Sequence, residues 1–115
     1  MNDAAPSKDP VRPGLGGKQR RHLRGLAHAL KPVVHLGKQG LSDAVVASVD
    51  AALGDHELIK IRFVDWKDEK KSLLEELSVR LDCDVVGTVG HLAILYRPAR
   101  DPDKRRIRLP PPADG

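Results

Sequence analysis

The stretch Lys31-Pro32-Val33-Val34-His35-Leu36-Gly37-Lys38-Gln39-Gly40-Leu41-Ser42 holds a helix stop, a strand, a glycine-bounded loop and a helix start in direct succession. Pro32 ends any helix that precedes it, because the residue before a proline is pushed out of the α region. Val33 to Leu36 is a short run with β-branched residues and predicts a buried strand. Gly37 and Gly40 interrupt it. Ser42 suits the N-cap of a following helix, and Leu41 and Val46 have the spacing of a hydrophobic staple. A strand that passes through a glycine loop into a helix is the opening of an α/β unit.

Working outward towards the N-terminus, Leu23, Leu26, Ala27 and Leu30 recur at helical spacing, so residues 18–30 predict an amphipathic helix. Arg20, Arg21, Arg24 and His28 share a neighbouring arc of it. Towards the C-terminus, Val45, Val46, Val49, Ala52 and Leu53 give the second helix its apolar face, and Gly54 is placed to close it. Leu58 to Phe63 alternates, with Ile59, Ile61 and Phe63 on one side and Lys60 and Arg62 on the other, which predicts a strand. Trp66, Leu73, Leu74, Leu77 and Leu81 mark a third helix, with Asp65 as a candidate cap. Val85–Val89 and Leu92–Tyr96 then form two strands joined at Gly90-His91, a hairpin. The expected fold is a single α/β domain over residues 18–98, in the order α-β-α-β-α-β-β around a mixed sheet. Residues 1–17 read as a disordered arm, rich in proline, glycine and charge. Residues 99–115 read as a basic, proline-rich tail outside the core.

The chain has 115 residues and a net charge of +4, and the charge is unevenly placed. Residues 18–40 hold six basic residues and no acid, whereas residues 41–96 hold six basic and eleven acidic ones. Residues 97–115 return to a basic excess, six against three. Such segregation suits one surface that meets a polyanion. The apolar runs are too short to span a bilayer, and no secretory h-region is visible near Met1. The lone Cys83 cannot form an internal disulfide, which fits a reducing, cytoplasmic setting.

The loop Gly37-Lys38-Gln39-Gly40 is the strongest chemical signal. Glycines let a phosphate approach the backbone with no Cβ in the way. The helix that follows offers unpaired N–H groups and a positive dipole end, and Lys38 adds a cation. The KH module clamps a nucleic-acid backbone on a GxxG loop by similar physics. A GxxG taken alone is more often a plain turn, and Asp43 in the first helical turn opposes a deep anion site. The acid-free basic segment leading into this loop is what shifts the balance. With Phe63, Trp66 and Tyr96 the only aromatics, each expected in the core, recognition of structured RNA by backbone and shape is favoured over base stacking.

Catalytic readings find no support in the residues. His22, His28, His35, His56 and His91 have no zinc-ligand spacing with one another or with Cys83. There is no G-x-S-x-G elbow and no Walker A loop. Asp68, Glu69, Glu75 and Glu76 lie among lysines, where helical charge pairing suffices. No enzyme activity, metal or cofactor is expected.

The runs Arg21-His22-Leu23-Arg24-Gly25-Leu26-Ala27-His28, Leu30-Lys31-Pro32-Val33-Val34, Leu36-Gly37-Lys38-Gln39-Gly40-Leu41, His56-Glu57-Leu58-Ile59-Lys60 and Leu95-Tyr96-Arg97-Pro98 together resemble a CRM domain of the bacterial YhbY type. The resemblance runs from about Lys18 to Pro98. It implies a fold similar to the C-terminal domain of bacterial translation initiation factor 3, an RNA-binding GxxG loop, and association with precursors of the large ribosomal subunit. The RNA-binding residues expected are Arg20, Arg21, Arg24, His28, Lys31, Gly37, Lys38, Gln39 and Gly40. His91 departs from the family pattern, which often has lysine or arginine there. The partner expected is large-subunit ribosomal RNA or a precursor particle, met by a monomer. The rival reading is a protein-interaction module that docks basic ribosomal proteins through its acidic middle.

Overall fold

The computed structural model describes residues 14–111; of the expected arm over residues 1–17, residues 1–13 lie outside them, as do residues 112–115 of the tail, whereas Leu15 packs on the core and Gly17 opens the first helix. The element order is α1 (Gly17–Ala27), β1 (Pro32–Leu36), α2 (Asp43–His56), β2 (Leu58–Phe63), α3 (Lys70–Leu81), β3 (Asp84–Val89) and β4 (Leu92–Tyr96). This is the expected order. The four strands make one mixed sheet in the order β1-β2-β4-β3. The β1–β2 pair is parallel and the other two pairs are antiparallel.

Helix α2 provides the crossover that a parallel pair requires. Ser42 caps it as expected, its Oγ accepting the Val45 N–H at 3.2 Å. Strand alternation then divides the core in two. Val34, Leu36, Ile59, Ile61, Phe63, Ala93 and Leu95 face α2 and α3, meeting Val46, Val49, Leu53, Leu74, Leu77 and Cys83. On the opposite face Leu58, Val86, Ile94 and Tyr96 meet Leu23 and Ala27 of α1.

Four features depart from the sequence reading. Helix α1 buries only part of its expected stripe. Leu23 and Ala27 are buried, Gln19 joins them, and Leu26 is 43% exposed. Arg20, next along the arc from Ala27, lies against the sheet. The second helix passes through Gly54 and ends at Glu57, whose φ of +64° turns the chain into β2. Trp66 lies outside α3 and is 44% exposed, at a left-handed residue (φ +60°) that leads into a single 3-10 turn, Lys67–Glu69.

The fourth departure is the C-terminal segment, which is not a free tail up to residue 111. Ile107 and Leu109 pack with Leu15 against the α1 side of the core. The buried Glu57 carboxylate accepts the backbone N–H groups of Ala99 (2.7 Å), Arg106 (2.8 Å) and Ile107 (3.1 Å). The Gln19 Nε2 donates to the Pro110 carbonyl at 3.0 Å. Composition reads as tail because the segment's anchors are backbone groups and two isolated apolar residues, which carry no periodic signal.

Leu77→Ala should lower the unfolding free energy in denaturant melts by about 2–5 kcal/mol, as a fully buried leucine does. Leu26→Ala should cost less than about 1 kcal/mol, since much of that side chain is already in water. Equal losses would contradict the placement of Leu26 at the exposed edge of α1. Glu57→Ala leaves three backbone donors without their acceptor and should cost about 1–3 kcal/mol. In limited trypsin digestion, cleavage at Arg105, Arg106 and Arg108 should also become faster in that variant. An unchanged digestion pattern would contradict the anchoring of residues 99–107 by Glu57.

Candidate nucleic-acid interface

The sheet face that carries α1 is only partly covered. Strand parity puts Lys60 and Arg62 on the same face as Leu58, and His35, the register partner of Arg62, beside them on β1. Helix α1 covers the end bearing Leu58, Ile94 and Tyr96, and is too short to cover the rest. The outcome is an open half-face lined by His35, Lys60 and Arg62. Lys60 also tethers the chain after α1, its Nζ donating to the Leu30 carbonyl at 3.1 Å. These three residues are missing from the sequence-derived site. The alternation in Leu58–Phe63 signalled Lys60 and Arg62, but the extent of the helix above them could not be read.

The nine expected residues divide by their surroundings. Arg21, Arg24 and His28 are exposed on the outer side of α1, and Lys31 is exposed just after it. The Arg24 stem passes over β3, so that a Cβ added to Gly87 would lie 3.5 Å from its Cδ. Arg20 is different. Its Nη1 donates to the carbonyls of Val85 (2.8 Å) and Val86 (3.3 Å), where the β3 ladder has a bulge. A bulge leaves carbonyls without a strand partner, and α1 brings a guanidinium to them. The first duty of Arg20 is therefore structural.

Gly37 to Gly40 form a tight turn closed by the Gly40 N–H to Gly37 carbonyl bond at 3.0 Å. Lys38 and Gln39 are exposed at its tip. Gly40 has a φ of +62°, a conformation that suits glycine, and an added Cβ would lie 3.3 Å from the Trp66 Nε1. At Gly37 an added Cβ would meet nothing within 4 Å. Glycine at position 40 thus answers to the fold, while the room at position 37 is open to a ligand. Trp66 holds the turn from outside, its Nε1 donating to the Lys38 carbonyl at 2.9 Å.

A third segment arrives at the same end of the sheet. The Phe63 N–H donates to the His91 carbonyl at 2.8 Å, which places the β3–β4 turn beside the exit of β2. Lys70 Nζ donates to the Gly90 carbonyl at 2.6 Å and lies 3.4 Å from His91 Nδ1. Desolvation, and then the cations Lys67, Lys70 and Arg62, hold the His91 imidazole below its ordinary pKa, while Asp68 opposes them. The turn where the family pattern often carries a cation thus stands in positive potential from its neighbours. Among the described residues no three His, Cys, Asp or Glu side chains are placed to hold a metal ion. No helix among them is long and apolar enough to cross a membrane.

Comparison with known proteins places this architecture. The model of the CRS1 / YhbY (CRM) domain matches residues 15–97. A Haemophilus influenzae protein named "RNA-binding protein" is 42% identical over 97 residues, covering 84% of this chain and 95% of that one. The Bacillus subtilis protein named "Probable RNA-binding protein YqeI" is 33% identical over 97 residues, covering 84% of this chain and 99% of its own. The solution structure of the hypothetical protein SAV1595 from Staphylococcus aureus matches with a TM-score of 0.71 at 34% identity. The match covers 84% of this chain and all of that one.

Arg20→Ala should lower stability by about 1.5–3 kcal/mol, the range for hydrogen bonds made by a charged donor. Arg21→Ala should change stability by less than about 0.5 kcal/mol. Thermal and denaturant unfolding of both variants checks this. A neutral Arg20→Ala would return that side chain to the binding surface.

Proposed function

The chain belongs to the CRS1 / YhbY (CRM) domain family, and we propose that it is a non-catalytic, cytoplasmic RNA-binding protein that acts in assembly of the large ribosomal subunit. Its partner on this reading is large-subunit ribosomal RNA or a precursor particle. The loop Gly37–Gly40 contacts the RNA backbone, aided by Arg21, Arg24, His28 and Lys31 and by His35, Lys60 and Arg62 on the open half-face. One observation carries the proposal: a turn whose Gly37 backbone is open to approach stands at the end of a strand whose neighbouring sheet face is uncovered and basic. Phosphates attract such a surface at long range, and the missing side chain at Gly37 leaves room for one to approach the backbone there.

The names of the relatives support RNA as the ligand class. The ribosomal assignment rests on the resemblance described above and needs its own test. The protein should sediment with large-subunit precursors rather than with translating ribosomes, and crosslinking followed by sequencing should recover large-subunit RNA. Recovery solely in the ribosome-free fraction at low salt would reject the assembly role.

Binding itself should be steeply salt-dependent. With about five phosphate contacts, the log–log slope of affinity against salt should be roughly −3 to −5. Arg21→Ala with Arg24→Ala should weaken binding to all RNAs alike and make the slope shallower by up to about two units. Lys38→Asp with Gln39→Asp should be more damaging, since negative charge would then occupy the phosphate approach. Arg80→Ala on the outer side of α3, where Arg80 pairs with Glu76 at 3.2 Å, is the control and should leave affinity unchanged. Lys70 would be a poor control because its ammonium holds the β3–β4 turn. Equal loss in the Arg80 and arc variants would place the RNA surface elsewhere.

A further inference from the structure

Trp66 is the chain's single tryptophan, and it stands at the loop rather than in the core. Its backbone is left-handed, a conformation that bulky residues rarely adopt and that recurs at ligand sites. Its indole N–H is committed to the Lys38 carbonyl, and the pyrrole side of the ring lies against Gly40. The ring is therefore fixed in orientation while nearly half of the residue remains open to solvent. It forms part of a shallow depression of about 450 Å3, together with Lys38, Val64, Asp65, Lys67, Asp68 and Glu69.

We propose that Trp66 stacks on one unpaired nucleobase of the RNA whose backbone passes over Gly37–Gly40, which makes this end of the sheet a reader of a bulged or looped nucleotide. The proposal rests on the RNA-binding reading and adds a base contact to it. Every nucleobase offers a π-face, and an indole already held by its own hydrogen bond loses little freedom when a base covers it. The charges beside the ring sort the nucleotide's parts. Lys38 and Lys67 attract its phosphates. The Asp65 and Asp68 carboxylates repel phosphate, but they can accept hydrogen bonds from a base edge. Adenine, cytosine and guanine carry an exocyclic amino group to donate there; uracil has only its N3–H, flanked by two carbonyl oxygens that a carboxylate repels. Unpaired uridine is therefore the disfavoured occupant.

The single tryptophan supplies the readout. Trp66 emission is followed while the full chain is titrated with a hairpin RNA bearing an adenosine-rich loop, a matched hairpin with a uridine loop, and a fully paired duplex. End-labelled RNA anisotropy reports binding independently. Emission should be quenched by the adenosine hairpin over the same concentrations that raise anisotropy, less by the uridine hairpin, and hardly by the duplex. Trp66→Ala should weaken binding of the adenosine hairpin by about fivefold or more. Duplex binding should stay within about twofold of the parent. Trp66→Phe, which keeps a stacking ring but lacks the indole N–H, should retain most of the hairpin affinity. Anisotropy that rises with no change in emission overturns the stacking proposal and leaves RNA binding intact. Equal losses in the Ala and Phe variants on hairpin and duplex alike also overturn it, leaving Trp66 as a clip for the loop. If no RNA changes either signal, the RNA-binding reading itself fails.

Discussion

The parallel register of β1 on β2, with Val34 opposite Ile61, His35 opposite Arg62 and Leu36 opposite Phe63, is the constraint from which the rest of the structure follows. Parallel neighbours cannot be joined by a tight turn, so α2 must cross over between them. Both strands then leave the sheet at the same end. The Leu36 carbonyl accepts the N–H groups of both Val64 (2.9 Å) and Asp65 (3.1 Å), fastening the exit of β2 to the exit of β1. This brings Trp66 beside Lys38, nearly thirty residues away in the chain. Antiparallel pairing of β2 with β4, Arg62 opposite Leu92, delivers the Gly90-His91 turn to the same place. Three segments with no local sequence relation are thus assembled by one register.

Residues whose role is repetitive were legible from sequence. Alternation in Leu58–Phe63, helical spacing from Val45 to Leu53, and the Ser42 cap each repeat a local rule, and the structure follows them. Residues whose role is singular were not. Glu57 falls between the expected helix end at Gly54 and the strand from Leu58 with no pattern of its own, yet it combines a left-handed backbone with a buried carboxylate that gathers three N–H groups of a distant segment. Leu26 fits the helical period as well as Leu23 does. Which of them is buried depends on how α1 sits on the sheet, where Leu23 enters the core and Leu26 stays at its edge. Trp66 did carry a local signal: no apolar residue follows it at three or four positions, so only the seven-residue spacing to Leu73 joined it to the stripe of Leu73, Leu74 and Leu77.

The same distinction runs through the candidate site. The loop and the α1 arc were legible as motifs and as charge clustering. His35, Lys60 and Arg62 required knowledge of an edge, namely where α1 stops and leaves the sheet bare. Arg20 shows the converse. Four basic residues on one arc look equivalent by spacing, but a bulge in β3 creates two carbonyls in need of a donor and the arginine nearest the sheet takes them. A cation's availability to a ligand depends on what the fold has already bound to it.

Charge placement on the folded chain also resolves the apparent conflict between a basic opening segment and an acidic middle. Asp43, Asp50 and Asp55 are exposed on α2, and Glu75 and Glu76 on α3, all on the side of the sheet away from α1. One of them is partly neutralised inside the fold, since Asp50 Oδ1 accepts from Arg97 Nη1 at 2.8 Å while the same guanidinium bonds the Leu81 carbonyl at the end of α3. The acidic side is therefore that of α2, which has three aspartates and no lysine or arginine, whereas α3 mixes Glu75 and Glu76 with Lys70, Lys71 and Arg80. Against a polyanion, a small net charge arranged this way turns the molecule as well as attracting it, because the acidic side is repelled while the α1 side is drawn in. The other acids close to the loop, Asp65, Asp68 and Glu69, lie within the depression at Trp66 rather than along the basic half-face. They leave the path of the phosphates clear and confine repulsion to the one spot where a base edge, and not a phosphate, can be accommodated.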